Sequence, residues 1–230
     1  MTALVLLPGL LNDERLWAHQ RHALAEQAEV SVADLTADDT MAGLAERVLA
    51  AAPDRFALAG LSMGGYVAME IMRRAPERVE RLALVSTAAR PDTAEQTERR
   101  RDAIANARAG GFDKVPPALL PIMVHPDRAA QERVGGLFVD MARAVGPEAF
   151  IRQQTAIMHR PDSRPGLPRI SCPTVVVVGR DDTLTPPDRA EEMAALIPGA
   201  RLVRIGQCGH LSAIEQPQAV SAVLSYWLQG

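Results

Sequence analysis

The sequence predicts an α/β protein: a mostly parallel sheet of about six strands, helices on both faces, and one helical insertion. Three observations predict it. Short apolar runs alternate with helical patterns from Ala3 to Ser86. Helical patterns alone then fill the chain from Thr93 to about Pro161. Alternation resumes at the β-branched run Thr174 to Val178 and continues to the last helix. Parallel neighbours need a crossover, usually a helix, so this rhythm fits a sheet covered on both sides.

Taken in order, Ala3–Leu7 reads as a buried strand stopped by Pro8-Gly9. Asn12-Asp13 caps a helix running to about Gln27, with Leu16, Trp17 and Leu24 on one side. Val30–Leu35 is the second strand, and Thr40–Ala52 a helix ended by Pro53. Phe56–Ala59 is the third strand, followed by a helix from Tyr66 to Arg74. Val79–Ser86 is the fourth. Helical patterns then cover 94–109, 115–124, 128–144 and 148–158, punctuated by Gly110-Gly111, Pro116-Pro117 and Gly146-Pro147. Thr174–Val178 and Arg201–Ile205 are the remaining strands. Helices over Pro187–Ile197 and Glu215–Leu228 complete the pattern. Residues 1–92 and 162–230 form the expected core, and 93–161 an expected cap over the strand ends. Right-handed crossovers favour placing the first strand between the second and third. Winding then reverses beside the first strand, where open α/β sheets bind ligands.

Composition narrows the function classes. With 47% apolar and 23% charged residues, the chain reads as one ordinary globular domain. A net charge of -3 gives no pull toward nucleic acid or an anionic membrane. Arg99, Arg100 and Arg101 cluster, but Glu95 and Glu98 lie beside them, so the expectation is a solvated helix face. The first apolar run is short, lacks a basic leader and ends at Pro8-Gly9, unlike a secretory signal. No stretch approaches membrane-spanning length. Cys172 and Cys208 make neither a disulfide framework nor a metal-ligand spacing, so reduced thiols and a cytoplasmic location are expected.

The chemistry concentrates at Gly60-Leu61-Ser62-Met63-Gly64. This G-x-S-x-G lies between a strand and a helix, the context of a nucleophile elbow. A turn this sharp strains the serine, and side chains at the flanking positions would collide with neighbouring backbone. Serine needs a base, and histidine has the suitable pKa. His210 follows the last strand at Gly206-Gln207-Cys208-Gly209-His210, and Asp181 and Asp182 follow the preceding strand. A carboxylate there would fix the imidazole tautomer. Two amides suit an oxyanion: Met63 N–H after the nucleophile, and Leu10 N–H after the Pro8-Gly9 turn.

Four segments together resemble the α/β-hydrolase superfamily: Leu6-Leu7-Pro8-Gly9-Leu10, the Gly60–Gly65 elbow, Gly179-Arg180-Asp181-Asp182-Thr183-Leu184-Thr185-Pro186, and Gly209-His210-Leu211 with Glu215-Gln216-Pro217. The likeness spans the whole length, nearest to small capped esterases, enol-lactonases and pimeloyl-ester hydrolases. It implies a Ser62–His210–Asp182 triad, since the family's acid lies three residues past the glycine; Asp181 is the fallback. It implies a serine hydrolase of a small, mainly apolar carboxylic ester or lactone, working through an acyl-enzyme. No metal, organic cofactor, nucleic acid or membrane partner is expected. Leu11, Met123, His125, Phe138, Met141 and Met158 are the candidate pocket wall, though the same apolar spacing also suits core helices. Carbon–carbon hydrolysis, acyl transfer, perhydrolysis and non-catalytic ligand binding remain open on the same residues. The sequence departs from the family in two ways. Pro8-Gly9 stands where His-Gly is usual, and Ala3–Leu7 aligns with the family's third strand, so the amino-terminal edge hairpin is expected to be missing.

Overall fold

A computed structural model describes residues 1–230. Six strands make one sheet: β1 (Thr2–Leu7), β2 (Ala28–Val32), β3 (Phe56–Leu61), β4 (Val79–Val85), β5 (Thr174–Gly179) and β6 (Arg201–Ile205). The order is β2-β1-β3-β4-β5-β6, and every pair is parallel. The first strand thus sits between the second and third, as expected.

Side chains alternate across the pleat. Leu4, Leu6, Ala57, Ala59, Val175 and Val177 enter one core cluster; Val5, Leu7, Leu58, Val176 and Val178 enter the other. Both faces of the inner strands are therefore buried, which is why these strands read as unbroken apolar runs. Edge strands β2 and β6 keep exposed positions.

Helices α2 (Met41–Ala51), α3 (Met63–Arg74) and α7 (Pro187–Leu196) pack on the Val5 face through Leu44, Val67, Ile71 and Met193. The Leu4 face is covered by α1 (Ala18–Ala23), α8 (Ser212–Glu215) and α9 (Pro217–Gln229), whose Val220, Leu224 and Trp227 share one core cluster with Leu16 and Trp17. Between β4 and β5 the chain carries α4 (Ala94–Asn106), α5 (Val115–Met123) and α6 (Leu137–Met158), and no strand. Gly146 breaks α6 at φ 77°, one residue before Pro147.

Several boundaries differ from the sequence reading; the helix expected from 128, for one, begins only at Leu137. α1 ends at Ala23 after a short 3₁₀ turn, well before Gln27, because β2 must be extended from Ala28 to pair with Thr2. The same register starts β2 two residues early and ends it at Val32 opposite Leu6. α3 begins at Met63, not Tyr66, since Gly64 and Gly65 serve close packing rather than ending a helix. No helix is long and apolar enough to cross a membrane.

Candidate active site

Only Ser62 separates β3 from α3, so strand becomes helix across one residue. Ser62 takes φ 55°, ψ -116°, a strained conformation for a side-chain-bearing residue. The flanking glycines show why. A Cβ on Gly60 would lie 2.3 Å from the Gly64 carbonyl oxygen, and one on Gly64 2.3 Å from that of Leu7. Neighbouring strand β4 fixes the turn: Ser62 N–H donates to Val85 O at 3.0 Å, and Thr87 Oγ1 donates to Ser62 O at 2.8 Å.

The loops after β5 and β6 bring the other two groups to the same rim of the sheet. Ser62 Oγ lies 2.8 Å from His210 Nε2, and His210 Nδ1 lies 2.9 Å from Asp182 Oδ2. With Nδ1–H donating to the carboxylate, Nε2 is free to accept the serine proton. His210 and Asp182 are buried, and Ser62 is 7% exposed, so only the nucleophile reaches the surface. Asp182 is held in turn. Leu184 N–H and Thr185 N–H donate to Oδ1 at 3.0 and 2.8 Å, and Thr185 Oγ1 donates to Oδ2 at 2.8 Å. Asp181 turns away and accepts from Cys208 N–H at 3.2 Å. The carboxylate on His210 is therefore that of Asp182.

The His210 loop is clamped by a side chain the sequence reading quoted only as part of a segment. Buried Glu215 accepts from Gly209 N–H at 2.9 Å and Leu211 N–H at 3.0 Å, either side of the imidazole. It also accepts from His125 N–H at 2.8 Å, tying in the helical insertion. Burial raises the Glu215 carboxyl above its ordinary range, against the lowering effect of those three amides. Cys208 is buried, and loss of hydration raises its thiol, with the Glu215 charge adding to the rise; it is filler rather than a nucleophile.

Sequence reasoning missed Gln153. This fully buried side chain of α6 accepts from Leu11 N–H at 3.0 Å and donates to Leu35 O at 3.1 Å. It thereby bridges the loops after β1 and β2. A polar residue on a buried stripe with Phe150 and Ile157 was the available signal.

A cavity of about 350 Å³ opens beside Ser62, lined by residues that include Leu10, Tyr66, Leu119, Met123, Arg100 and Arg160. A larger one, about 610 Å³, lies at the amino ends of β5 and β6, away from Ser62. Of the six wall residues expected from sequence, Met123 lines the Ser62 cavity. Leu11, Phe138 and Met141 instead fill the core with no exposure, because that apolar face of α6 packs inward. His125 Nδ1 accepts from Asp127 N–H at 3.2 Å, with Nε2 facing Asp181 at 3.8 Å, and it does not reach the lining. Met158 is half-buried beyond the lining. The expected solvated face over Arg99–Arg101 is corrected as well. Arg99 and Arg101 pair with Glu95 and Glu98 in solvent, whereas Arg100 turns inward to Asp92, which is 1% exposed. No group of three or more His, Cys, Asp or Glu side chains is placed to hold a metal ion.

The chain is similar to known proteins over nearly its whole length. A pimeloyl-[acyl-carrier protein] methyl ester esterase from Nitrosomonas europaea is 26% identical, over 94% of this chain and 91% of its own. A thermophilic esterase from Thermogutta terrifontis superposes with a TM-score of 0.92 and 30% identity, over 100% of this chain and 90% of its own. The enol-lactonase from Burkholderia xenovorans LB400 gives 0.90 and 28%, over 100% and 92%. The family model for the alpha/beta hydrolase fold matches residues 2–217, and the chain belongs to that family.

Proposed function

We propose that this protein is a serine hydrolase that cleaves a small carboxylic ester or lactone through an acyl-enzyme. The observation that carries the reading is the continuous hydrogen-bond chain Ser62–His210–Asp182, with the serine at a cavity and the acid buried. The esterase and enol-lactonase likenesses support it.

In this mechanism Ser62 Oγ attacks the carbonyl carbon while its proton passes to His210 Nε2. Asp182 stabilises the resulting imidazolium. The oxyanion meets Met63 N–H, at the first turn of α3, and Leu10 N–H in the loop after β1. That loop passes close to the nucleophile, since a Cβ on Gly9 would lie 3.3 Å from Ser62 Cβ. Preorganised donors of this kind contribute about 3 kcal/mol each to barrier reduction. His210 then protonates the departing alcohol oxygen as the C–O bond breaks. Water, deprotonated by His210, attacks the acyl-enzyme, and Ser62 leaves with the proton restored. In a lactone the alcohol stays tethered to the acyl group. Residues 93–161 act as the cap: Leu119, Met123 and Gln154 line the cavity with Leu10 and Ser62, and so restrict water.

The test is labelling by a fluorophosphonate together with p-nitrophenyl ester turnover. Both should be present in the wild type and absent in Ser62→Ala. A folded wild type that neither labels nor turns over any ester, lactone, thioester or diketone would leave a ligand-binding protein on this fold.

A further inference from the structure

Beside its apolar residues, the wall next to Ser62 carries a cluster of charge that composition did not suggest. Arg90, Arg99, Arg100, Arg160 and Arg189 all line it, against one carboxylate, Asp92. Three of these charges are answered elsewhere or face solvent. Arg90 pairs with Glu192 at 2.9 Å, Arg99 with Glu95 at 2.6 Å, and Arg189 lies 3.5 Å from Asp188.

Arg100 and Arg160 differ. Both pair with the same buried Asp92, Arg100 Nε at 2.7 Å from Oδ2 and Arg160 Nη1 at 2.7 Å from Oδ1. Two guanidiniums share one carboxylate, so one positive charge is left over. Desolvated charge is costly unless matched. The Arg160 side chain is only 7% exposed, and it is anchored by Arg90 O at 3.1 Å and Ile157 O at 3.0 Å. Its guanidinium stacks 4.4 Å from the Tyr66 ring centre, which sets the fork's plane. Nε and Nη1 are thereby occupied, and Nη2 donates to no protein group. Arg100 is fixed likewise, through Gln154 Oε1 at 2.6 Å.

We propose that Arg100 and Arg160 form an anion subsite of the Ser62 cavity, and that the substrate is an ester or lactone that also carries a free carboxylate. The inference rests on the hydrolase reading and adds the substrate class. One surplus positive charge matches a monoanionic carboxylate better than a dianionic phosphate. The prepositioned Arg160 Nη2, left without a protein acceptor, suits a charge-assisted hydrogen bond to a carboxylate oxygen. A cavity of about 350 Å³ limits the acid to a small one.

The experiment compares monomethyl glutarate with dimethyl glutarate, which differ by one charge at nearly equal size. Binding is measured by calorimetry on Ser62→Ala, so that turnover plays no part. The monoester should bind about tenfold or more tightly, and inorganic phosphate more weakly than the monoester. The preference should disappear in Arg100→Gln and Arg160→Gln, survive partly in Arg160→Lys, and be unchanged in Arg204→Gln. Arg204 is a surface control that pairs with Glu191. Equal binding of the two esters, stronger binding of phosphate, or a preference that survives in folded Arg100→Gln would each overturn the subsite. The ester comparison on Ser62→Ala alone needs no arginine variant, so misfolding of Arg160→Gln leaves the question decidable. Turnover of the neutral diester with no charge preference would sink the subsite and keep the hydrolase. Absence of turnover and of Ser62 labelling would sink the hydrolase.

Discussion

Asp182→Asn isolates the step on which the proposed mechanism turns. The substitution keeps shape and changes one atom from acceptor to donor. Asp182 Oδ1 receives Leu184 N–H and Thr185 N–H, and the amide oxygen of asparagine would retain both bonds. The new NH₂ then occupies the Oδ2 position, 2.9 Å from His210 Nδ1 and 2.8 Å from Thr185 Oγ1. Thr185 can rotate its hydroxyl and accept. His210 relieves the donor–donor clash by moving its proton to Nε2, since the nearby Thr185 Oγ1, at 3.2 Å, is a weaker partner than the lost carboxylate. Nε2–H then points at Ser62 Oγ and can no longer accept its proton. In a triad this tautomer error lowers kcat by ~10⁴-fold, which is about 5.4 kcal/mol at ~1.36 kcal/mol per factor of ten. Folding should lose little, about 1 kcal/mol for a weakened bond. Because Asp182 does not line the cavity, KM should stay within about twofold. The assay is steady-state hydrolysis of p-nitrophenyl acetate, paired with thermal unfolding and the rate of fluorophosphonate labelling. A variant that keeps more than about a tenth of kcat, with an unchanged melting curve, would show that Asp182 does not set the imidazole's tautomer.

Four further outcomes follow from the geometry. Gly64→Ala places a Cβ 2.3 Å from the Leu7 carbonyl oxygen, a backbone atom of a central strand, so Tm should fall by roughly 6–12 °C for a cost near 3 kcal/mol; an unchanged Tm would mean the elbow has slack. Glu215→Gln leaves one oxygen for three backbone donors and should lower both Tm and kcat, the latter by about tenfold as the His210 loop loosens. The pH dependence has a definite sign. The folded carboxyl holds its proton more tightly than the unfolded one at 4.5, so wild-type stability declines as pH rises from 4.5 through the raised folded value. The Tm advantage of wild type over Glu215→Gln should therefore be larger near pH 4 than near pH 8, and the reverse trend in a pH series of melting curves would contradict the burial argument. Iodoacetamide should leave Cys208 unmodified in the native protein at pH 8 and modify it after unfolding, read by peptide mass; rapid native labelling would contradict its burial.

What was legible in the sequence is what short-range chemistry dictates. A strand buried on both faces must be continuously apolar, so β3 and β5 announce themselves, and their carboxyl ends locate Ser62 and Asp182. Element ends were less legible, because pairing sets them: β2 stops at Val32, opposite Leu6 in the last pair of the ladder with β1, and no residue near Val32 records that. The cavity wall was least legible. Phe138 and Met141 present the same apolar spacing whether a helix covers a core or a pocket, and only the packing of α6 decides between them.

Arg100 shows how far a local argument could have reached. Successive helix residues point about 100° apart, so three consecutive arginines cannot share one solvated face. Arg99 has Glu95 four residues before it, and Arg101 has Glu98 three before it; both pairs form at the surface. At the corresponding positions before Arg100 stand Gln96 and Thr97, neither of which is acidic. The middle arginine thus lacks a partner on its own helix, and it is the one that turns inward to Asp92 and Gln154. The net charge of the cluster, read as a block, concealed this. Asp92 also receives Arg160, sixty-eight positions along the chain, and no periodicity connects residues that far apart. A surplus positive charge beside Ser62 is therefore a property of the folded chain, produced when α4 and the segment just after α6 converge on one carboxylate.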